Sequence, residues 1–551
     1  MLMREKIREL LTDAAQKSGL ARGLVFEVSY ATDTKFGDYA SNIAMVGAKA
    51  LKSKPKELAE KIIANLDSSM FEKVEVAGPG FINFTLKLSE LQPITYNLQS
   101  KSKGKILLEY FQPNIAKPLH IGHLETAIIG DCLKRMFLYL GYKVESDTHM
   151  GDWGTQFGYL ILAQKKFDKV NDKIYAELNA DESQREAAKL EFVKLEQGDP
   201  ENRKIWQQLV DTSVKEFLQI NDLMDILPFD HHWPESFYED KMSAVLEELK
   251  KKKLIVESQG AQIVNLEEQG LGVAIIVKSD GGTTYLLRDL AGFLFVQKEG
   301  FKQHLYVVDN RQSLHYKQLF AILKLIGKIE DEEGIHVDYG FISFKGEALS
   351  TRKGNMVLAE DVITQAEEKV AKIVSEKNPD LKDKQAVIKA VTKGALKYFI
   401  LKHNRHSDIE FDWVEVLDFE GDTGPYLQYA YARLASILRR VIPDSIRNPD
   451  DRILNQVQDD NKISATEREL LFKLSILPEI VEDALKDYMP NILANYLYKL
   501  ATLINKFYHE SPVVQEKDEA KKNFRLALIL KAQTTLGQGM SLLGIHALEE
   551  M

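Results

Sequence analysis

Pro113-Asn114-Ile115-Ala116-Lys117-Pro118-Leu119-His120-Ile121-Gly122-His123 is the stretch around which the rest of the chain is arranged. Before it, Ile106-Leu107-Leu108-Glu109-Tyr110-Phe111 is a short apolar run of the kind a buried strand presents. After it, Ile121, Leu124, Ile128, Leu133, Met136, Phe137 and Leu140 recur at helical spacing, and Gly141 suits the stop. Tyr142 to Ser146 reads as a second strand. Strand, helix and strand in this order predict a βαβ unit on a parallel sheet. The stretch then lies at the carboxyl end of a strand and the amino end of a helix, where such sheets take ligands. Free N–H groups and the helix dipole favour phosphate there. His120 and His123 share one side of the first helical turn, and Gly122 lets a nucleotide approach the backbone. Alone, two histidines around a glycine are usually a surface or capping feature.

Composition narrows the classes. A chain of 551 residues predicts two to four domains, and 44% hydrophobic residues suffice for sizeable cores. The net charge of −10 repels nucleic acid in bulk, so any RNA contact must come from local patches. Cys132 is the only cysteine, which excludes an internal disulfide or a cysteine-rich zinc site and suits a reducing cytosol. Met1 to Lys6 opens a charged amphipathic helix, not a signal peptide, and no apolar run reaches membrane-spanning length. A cytoplasmic location is expected, with no metal ligand set in the protein.

In chain order, residues 1–100 predict a small α+β domain and linker. Glu5 to Leu20 and Pro55 to Leu66 are helical, Phe36 to Asn42 leads into another helix, and Val74–Ala77 and Phe81–Leu86 are strands around Gly78-Pro79-Gly80. Residues 101–384 carry the nucleotide fold. Within them Gln164 to Leu227 is a charged helical insertion broken at Gly198-Asp199-Pro200. Ala261 to Leu266, Val273 to Lys278 and His304 to Asp309 are strands, and Thr283 to Asp289 runs into a helix. Residues 385–551 are helical, with a strong amphipathic helix from Gly424 and an exposed polar loop over Pro443 to Lys462. The fold class is therefore multidomain α/β: a Rossmann-type parallel-sheet domain with a helical insertion, preceded by a small α+β domain and followed by an all-α bundle.

His-Ile-Gly-His after a strand resembles the first ATP-binding motif of class I aminoacyl-tRNA synthetases. The longer string from Pro113 to His123, with Ile128-Ile129-Gly130-Asp131 and His149-Met150-Gly151-Asp152-Trp153-Gly154-Thr155-Gln156, is similar to that of the arginyl-tRNA synthetases. The resemblance implies a ligase that activates L-arginine with ATP and passes it to the 2′-hydroxyl of the terminal adenosine of tRNA(Arg). Mg²⁺ would enter with ATP, zinc would not be needed, and a monomer is implied. His120, His123 and Lys117 would be catalytic. Pro113, Gly122, Ser350, Thr351, Arg352 and Lys353 would bind ATP. Glu109, Asn114, His120, Tyr285, Asp289 and Gln312 would hold arginine. A guanidinium is planar, permanently charged and rich in donors, so carboxylates such as Glu109 and Asp289 suit it. Read unaided, Asp289 is equally a helix-cap charge.

The resemblance further implies that the amino-terminal domain grips the tRNA elbow through Phe81 and Asn83, an aromatic and an amide. Tyr426, Tyr429, Tyr496 and Met551 would meet the anticodon loop, where aromatic faces suit unstacked bases. Without the resemblance, a tyrosine stripe in a helical domain reads as core. Several positions depart from the family pattern. Ala348-Leu349-Ser350-Thr351-Arg352 replaces the usual Lys-Met-Ser-Lys-Ser loop, as in many arginyl enzymes. Glu125-Thr126-Ala127 stands where Arg-Ser-Thr is usual, an anion for a cation, and Asp309-Asn310-Arg311 where a small residue and a glutamine are common. Leu548 and Glu550 replace a proline and an arginine in the tail. Two rivals stay open: a class I enzyme for another amino acid, and a non-catalytic paralogue that binds tRNA.

Overall fold

Beginning at the amino terminus, four short strands pair in a twisted antiparallel sheet: β1 (Val28–Tyr30), β2 (Tyr39–Ser41), β3 (Phe71–Ala77) and β4 (Phe81–Leu86), in the order β1-β2-β4-β3. The computed structural model describes residues 2–91, 104–168, 170, 172–344, 357–441, 463–513 and 515–551. The sequence predicts only β3 and β4 of this sheet. β1 and β2 are three residues each, too short to show a period-two pattern. Tyr39, Ile82 and Phe84 point from this sheet onto the helices Met3–Lys17, Ile43–Leu51 and Pro55–Ala64, and all three are fully buried.

The central sheet is wholly parallel. Its strands are β5 (Lys105–Glu109), β6 (Lys143–Asp147), β10 (Phe301–Asp309) and β11 (Gly334–Tyr339), in the order β11-β10-β5-β6. Helices cover both faces, so Leu107, Leu108, Leu305, Val307 and Val337 are fully buried and the strands read as continuous apolar runs. The chain leaves β5 for β6 on one side and returns to β10 on the other. The switch point therefore falls between β5 and β10, and a crevice opens at their carboxyl ends. The register sets Glu109 beside Asp147 on one flank and beside Tyr306 on the other.

Between β6 and β10 lie the helices Gln156–Phe167, Asp172–Ala180, Arg185–Glu196 and Pro200–Leu223. The break at Gly198-Asp199-Pro200 is where the sequence puts it: Asp199 caps the last helix through Asn202 and Pro200 opens it. A small antiparallel sheet of β7 (Ile255–Ser258), β8 (Ala261–Asn265) and β9 (Val273–Val277) follows. Beyond β11, β12 (Ile342–Phe344) pairs in parallel with β13 (Ile409–Phe411), which lies past residue 385 in the chain.

The carboxyl-terminal part is helical, including Lys384–Lys402, Gly424–Val441, Ala465–Ser475, Pro490–Glu510 and Glu519–Leu542. Ser464 and Glu467 form a capping box that fixes where the chain re-enters this bundle. The expected loop from Pro443 to Lys462 lies outside the described residues. The amino-terminal sheet docks on the bundle through polar contacts. Arg468 forms a bidentate pair with buried Asp38 at 2.8 and 2.9 Å, and the Tyr39 hydroxyl donates to Glu479 at 3.0 Å.

Candidate active site

The signature stretch joins β5 to the helix Ile121–Tyr139. Two of its residues hold positive φ without being glycine, Phe111 at 63° and Ala116 at 60°. Such conformations cost energy and persist where the surroundings fix them. Here Ile115 donates to Gly151 O at 3.1 Å, Gly151 donates to Pro113 O at 3.0 Å, and Ala116 donates to the Ser213 hydroxyl at 3.0 Å. Asn114 and Gly151 thus stand side by side as bridge partners.

His120 is the N-cap of the helix. The Gly122 N–H donates to His120 Nδ1, and the His120 N–H donates to His123 Nδ1, both at 3.1 Å. Each Nδ1 is therefore an acceptor, which places the ring proton on Nε2 in the neutral tautomer. Among the described residues neither Nε2 has a partner, and the rings lie with centroids 3.9 Å apart. Burial, with His120 and Lys117 nearby, pulls the His123 pKa down to about 3. Burial and then Arg311 lower that of His120. The motif offers two neutral N–H donors at a helix amino terminus. A Cβ on Gly122 would come 3.0 Å from the His120 ring, so the glycine makes room for the cap itself. Lys117, three residues earlier, is exposed and forms no ion pair among the described residues.

The expected nucleotide contacts Ser350, Thr351, Arg352 and Lys353 lie outside the described residues. What flanks them is described, and it touches the first motif. Ile121 donates to Val357 O at 3.1 Å and Ala359 donates to Leu119 O at 3.0 Å. Position 125 differs from the sequence expectation. Glu125 is 2% exposed, and burial first, then Asp309 and Asp408, push its pKa well above the carboxylate range. Burial thus favours the neutral acid over the anion that the sequence suggests. Arg311 pairs with Asp309 at 2.5 Å, with its guanidinium 5.2 Å over the Phe341 ring. The charges of this loop lie close enough to act on His120.

The arginine-site candidates converge on the next part of the crevice. Glu109 ends β5 and Asp147 ends β6, and both are buried. Glu109 accepts from His304 Nε2 at 3.0 Å and Gln112 Nε2 at 2.8 Å. Asp289 lies on the helix Tyr285–Lys298, capped by Thr284, and meets His315 Nε2 at 2.5 Å. Tyr285, one turn earlier, is half exposed at the mouth, with Arg288 5.6 Å from its ring. Gln312 is exposed at the end of β10.

Residues that the sequence reading did not single out complete this wall. His149 lies 3.9 Å from Glu109 and 3.7 Å from Asp289, with its ring stacked on Tyr238. Glu235 pairs with Arg288 at 3.5 Å. Burial, and then Glu109, raise the Asp147 pKa to about 7; burial, opposed by Arg288, raises Glu235 to about 7. Asp289 stays low, because His315 and His149 outweigh its burial. A wall so rich in acids can hold a compact or planar cation with several donors. A carboxylate at the end of the strand next to β5 was the available signal for Asp147.

The outlying candidates divide. Phe81 is 38% exposed on β4, and Asn83, on the same face, is largely covered. Tyr426, Tyr429, Arg433, Asn505, His509 and Met551 line a cavity of about 660 Å³ on the helical bundle. Asn505 donates to the Tyr426 hydroxyl at 2.9 Å, and Arg433 lies 4.9 Å over the Tyr429 ring. Tyr496 is not with them. It is buried in the bundle core and its hydroxyl donates to Lys473 O at 2.6 Å, so the core reading of a helical tyrosine holds there.

Comparison with known proteins identifies the family of each segment. Residues 2–86 match the arginyl tRNA synthetase N terminal domain, 87–413 the tRNA synthetases class I (R) catalytic domain, and 427–551 the DALR anticodon binding domain. An arginine–tRNA ligase of Clostridium kluyveri is 38% identical over 543 residues, 94% of each chain. The crystal structure of the Plasmodium falciparum arginyl-tRNA synthetase superposes with a TM-score of 0.83 at 25% identity, covering 100% of this chain and 99% of that one. The Thermus thermophilus arginyl-tRNA synthetase gives 0.81 at 25% identity, with both chains fully covered. With its parallel sheet, its histidine-capped signature helix and its helical carboxyl-terminal part, the chain belongs to the arginine–tRNA ligases, the class I arginyl-tRNA synthetases.

Proposed function

We propose that the crevice between β5 and β10 binds ATP at the histidine-capped helix and L-arginine beside it, with the guanidinium among Glu109, Asp289 and Tyr285. Asn114 and Gln312, at the inner and outer lips, suit the amino acid's own amino and carboxylate groups. In this reading the arginine carboxylate attacks the α-phosphorus of ATP, the bond to the β-phosphate oxygen breaks, and pyrophosphate leaves with its Mg²⁺. The arginyl group then passes to the 2′-hydroxyl of the tRNA's terminal adenosine and AMP is released. No nucleophile from the protein is required, so catalysis is positioning and charge stabilisation. The Nε2–H groups of His120 and His123 donate to the phosphate oxygens, and Lys117 offsets the charge that develops on pyrophosphate. Pro113 and Gly122 shape the nucleotide's side of the loop, and Ser350, Thr351, Arg352 and Lys353 close on it from the second motif.

The partner is tRNA(Arg). Phe81 and Asn83 meet its elbow, and the cavity holding Tyr426, Tyr429 and Met551 takes an anticodon-loop base. All these residues come from one chain, which supports action as a monomer. The 101–384 segment carries the chemistry, flanked by tRNA-binding segments 1–100 and 385–551, and a cytoplasmic setting fits a reduced lone cysteine. Among the described residues no helix is long and apolar enough to cross a membrane.

The observation that carries the arginine assignment is the meeting of two carboxylates, Glu109 and Asp289, around His149, a concentration of negative charge that a guanidinium complements and an uncharged side chain does not. The test is aminoacylation by the purified chain with ATP, Mg²⁺, arginine tRNA and each of the twenty amino acids. Arginine alone is expected to be esterified. Asp289→Asn is expected to lower its kcat/KM by about one to two orders of magnitude, the cost of one charge-assisted hydrogen bond. Full arginine activity in that variant would reassign Asp289 to a structural role.

A further inference from the structure

Glu109, Asp147 and His149 each offer one ligand atom, and these atoms all lie within 4.8 Å of one another. Asp147 is fully buried. Its Oδ1 accepts the Trp233 N–H at 2.8 Å, while Oδ2 is buried and has no hydrogen-bond partner among the described residues. Nδ1 of His149 is likewise buried and unpartnered, and faces Oε2 of Glu109 at 3.9 Å.

We propose that this trio is a divalent-cation site with Zn²⁺ as its preferred occupant, and that the metal and arginine's guanidinium compete for it. One imidazole and two carboxylates are donors that zinc accepts, and hard cations such as Mg²⁺ rarely take an imidazole. The outer contacts are those that orient metal ligands. Glu109 is held by His304 at 3.0 Å and Gln112 at 2.8 Å, and Asp147 by a backbone N–H. The other nitrogen of His149, Nε2, faces Asp289 at 3.7 Å, and Asp289 is fixed by His315 at 2.5 Å. Metal on Nδ1 puts the proton on Nε2 and aims it at that carboxylate, the usual carboxylate–histidine–zinc relay. Zinc bonds of about 2.0–2.2 Å need donors roughly 3.4 Å apart. The side chains therefore close by about an ångström on the ion, leaving a fourth position toward the crevice. Glu109 ends a different strand from the one that leads into Asp147 and His149, which is why no metal motif is visible in the sequence.

The competition rests on the proposed arginine pocket; metal binding does not. The full-length chain, freed of metal, is dialysed against Zn²⁺, and against Co²⁺ to record the visible absorption of a low-coordinate site. One Zn²⁺ per chain is expected, displaced by saturating arginine with tRNA present, with the Co²⁺ spectrum bleached in parallel. Asp147→Asn and His149→Gln are each expected to weaken zinc binding by at least about tenfold. The proposal is overturned if no stoichiometric zinc binds, if both folded variants keep wild-type affinity, or if arginine binds the zinc-loaded and metal-free chains alike. Should the variants not fold, displacement in the wild-type chain still decides. Failure of arginine to bind the metal-free chain with tRNA would instead count against the pocket assignment.

Discussion

At the scale of single residues, the chemistry of the signature histidines follows from hydrogen bonds that cap the helix. Because both Nδ1 atoms accept backbone N–H groups, protonating either ring breaks a cap. A folded pKa depressed below the ordinary value of about 6.5 contributes stability that is fully present above about 6.5 and is lost as pH falls from there toward the folded pKa. For His123 that window runs down to about 3. In the chain carrying ¹³Cε1-labelled histidine, the His123 resonance is expected not to titrate between about pH 5 and 8; a midpoint near the free value of about 6.5 would refute the capped neutral tautomer. Lys117 makes a second residue-scale case. It is exposed, unpaired among the described residues, and its charge reaches His123. Lys117→Ala is expected to slow single-turnover arginine activation by about 10²–10³, with arginine and tRNA affinity near wild type. Wild-type rates in that variant, with losses in Arg352→Ala or Lys353→Ala, would give the pyrophosphate clamp to the second motif. Periodicity places the strand–helix passage that carries His120 and His123, whereas Glu109, Asn114 and Asp289 are singled out by the family resemblance and not by local spacing. Asp147, His149 and Glu235 take no role from the sequence, because the pairing of β5 with β6, not local spacing, sets the first two beside Glu109, and Tyr496, matched by the resemblance, lies in the bundle core.

At the scale of elements, the helix Ile121–Tyr139 is the part that joins sheet, crevice and bundle. Ala127, Cys132, Leu133 and Met136 are fully buried, and Asp131 pairs with Arg135 at 2.8 Å while accepting the Leu227 N–H at 2.9 Å. Gly130 explains the glycine in Ile128-Ile129-Gly130-Asp131, since a Cβ there would come 2.2 Å from the Tyr110 ring. Gly130→Ala is therefore expected to destabilise the chain by about 1–3 kcal/mol or more, read as a lower denaturant midpoint. Unchanged stability would show that Tyr110 yields freely. The helices, the β5–β6 unit and the break at Asp199-Pro200 were readable because caps, apolar spacing and turn residues agree at those points. β1, β2 and the pairing of β12 with β13 were not, since three-residue strands take their stability from their neighbours.

At the scale of the whole molecule, the two segments flanking the catalytic sheet meet each other. Arg468 and Glu479 of the bundle hold Asp38 and Tyr39 of the amino-terminal sheet, and Arg4 pairs with Asp483 at 2.8 Å. Elbow and anticodon candidates are thereby carried on one connected support, and the signature helix links the bundle to the crevice at the carboxyl ends of β5 and β10. The fold class was legible from composition and motif order; the docking was not, because it depends on side chains from opposite ends of the chain. At the centre of the proposed function is a pocket that reads a guanidinium through buried carboxylates. The most direct test is to compare arginine with citrulline, which keeps the shape and replaces the cation with a neutral urea, as substrates for tRNA charging. A site built for the charged group is expected to reject the analogue by about 10⁴ in kcat/KM. Citrulline charged within tenfold of arginine would contradict the account.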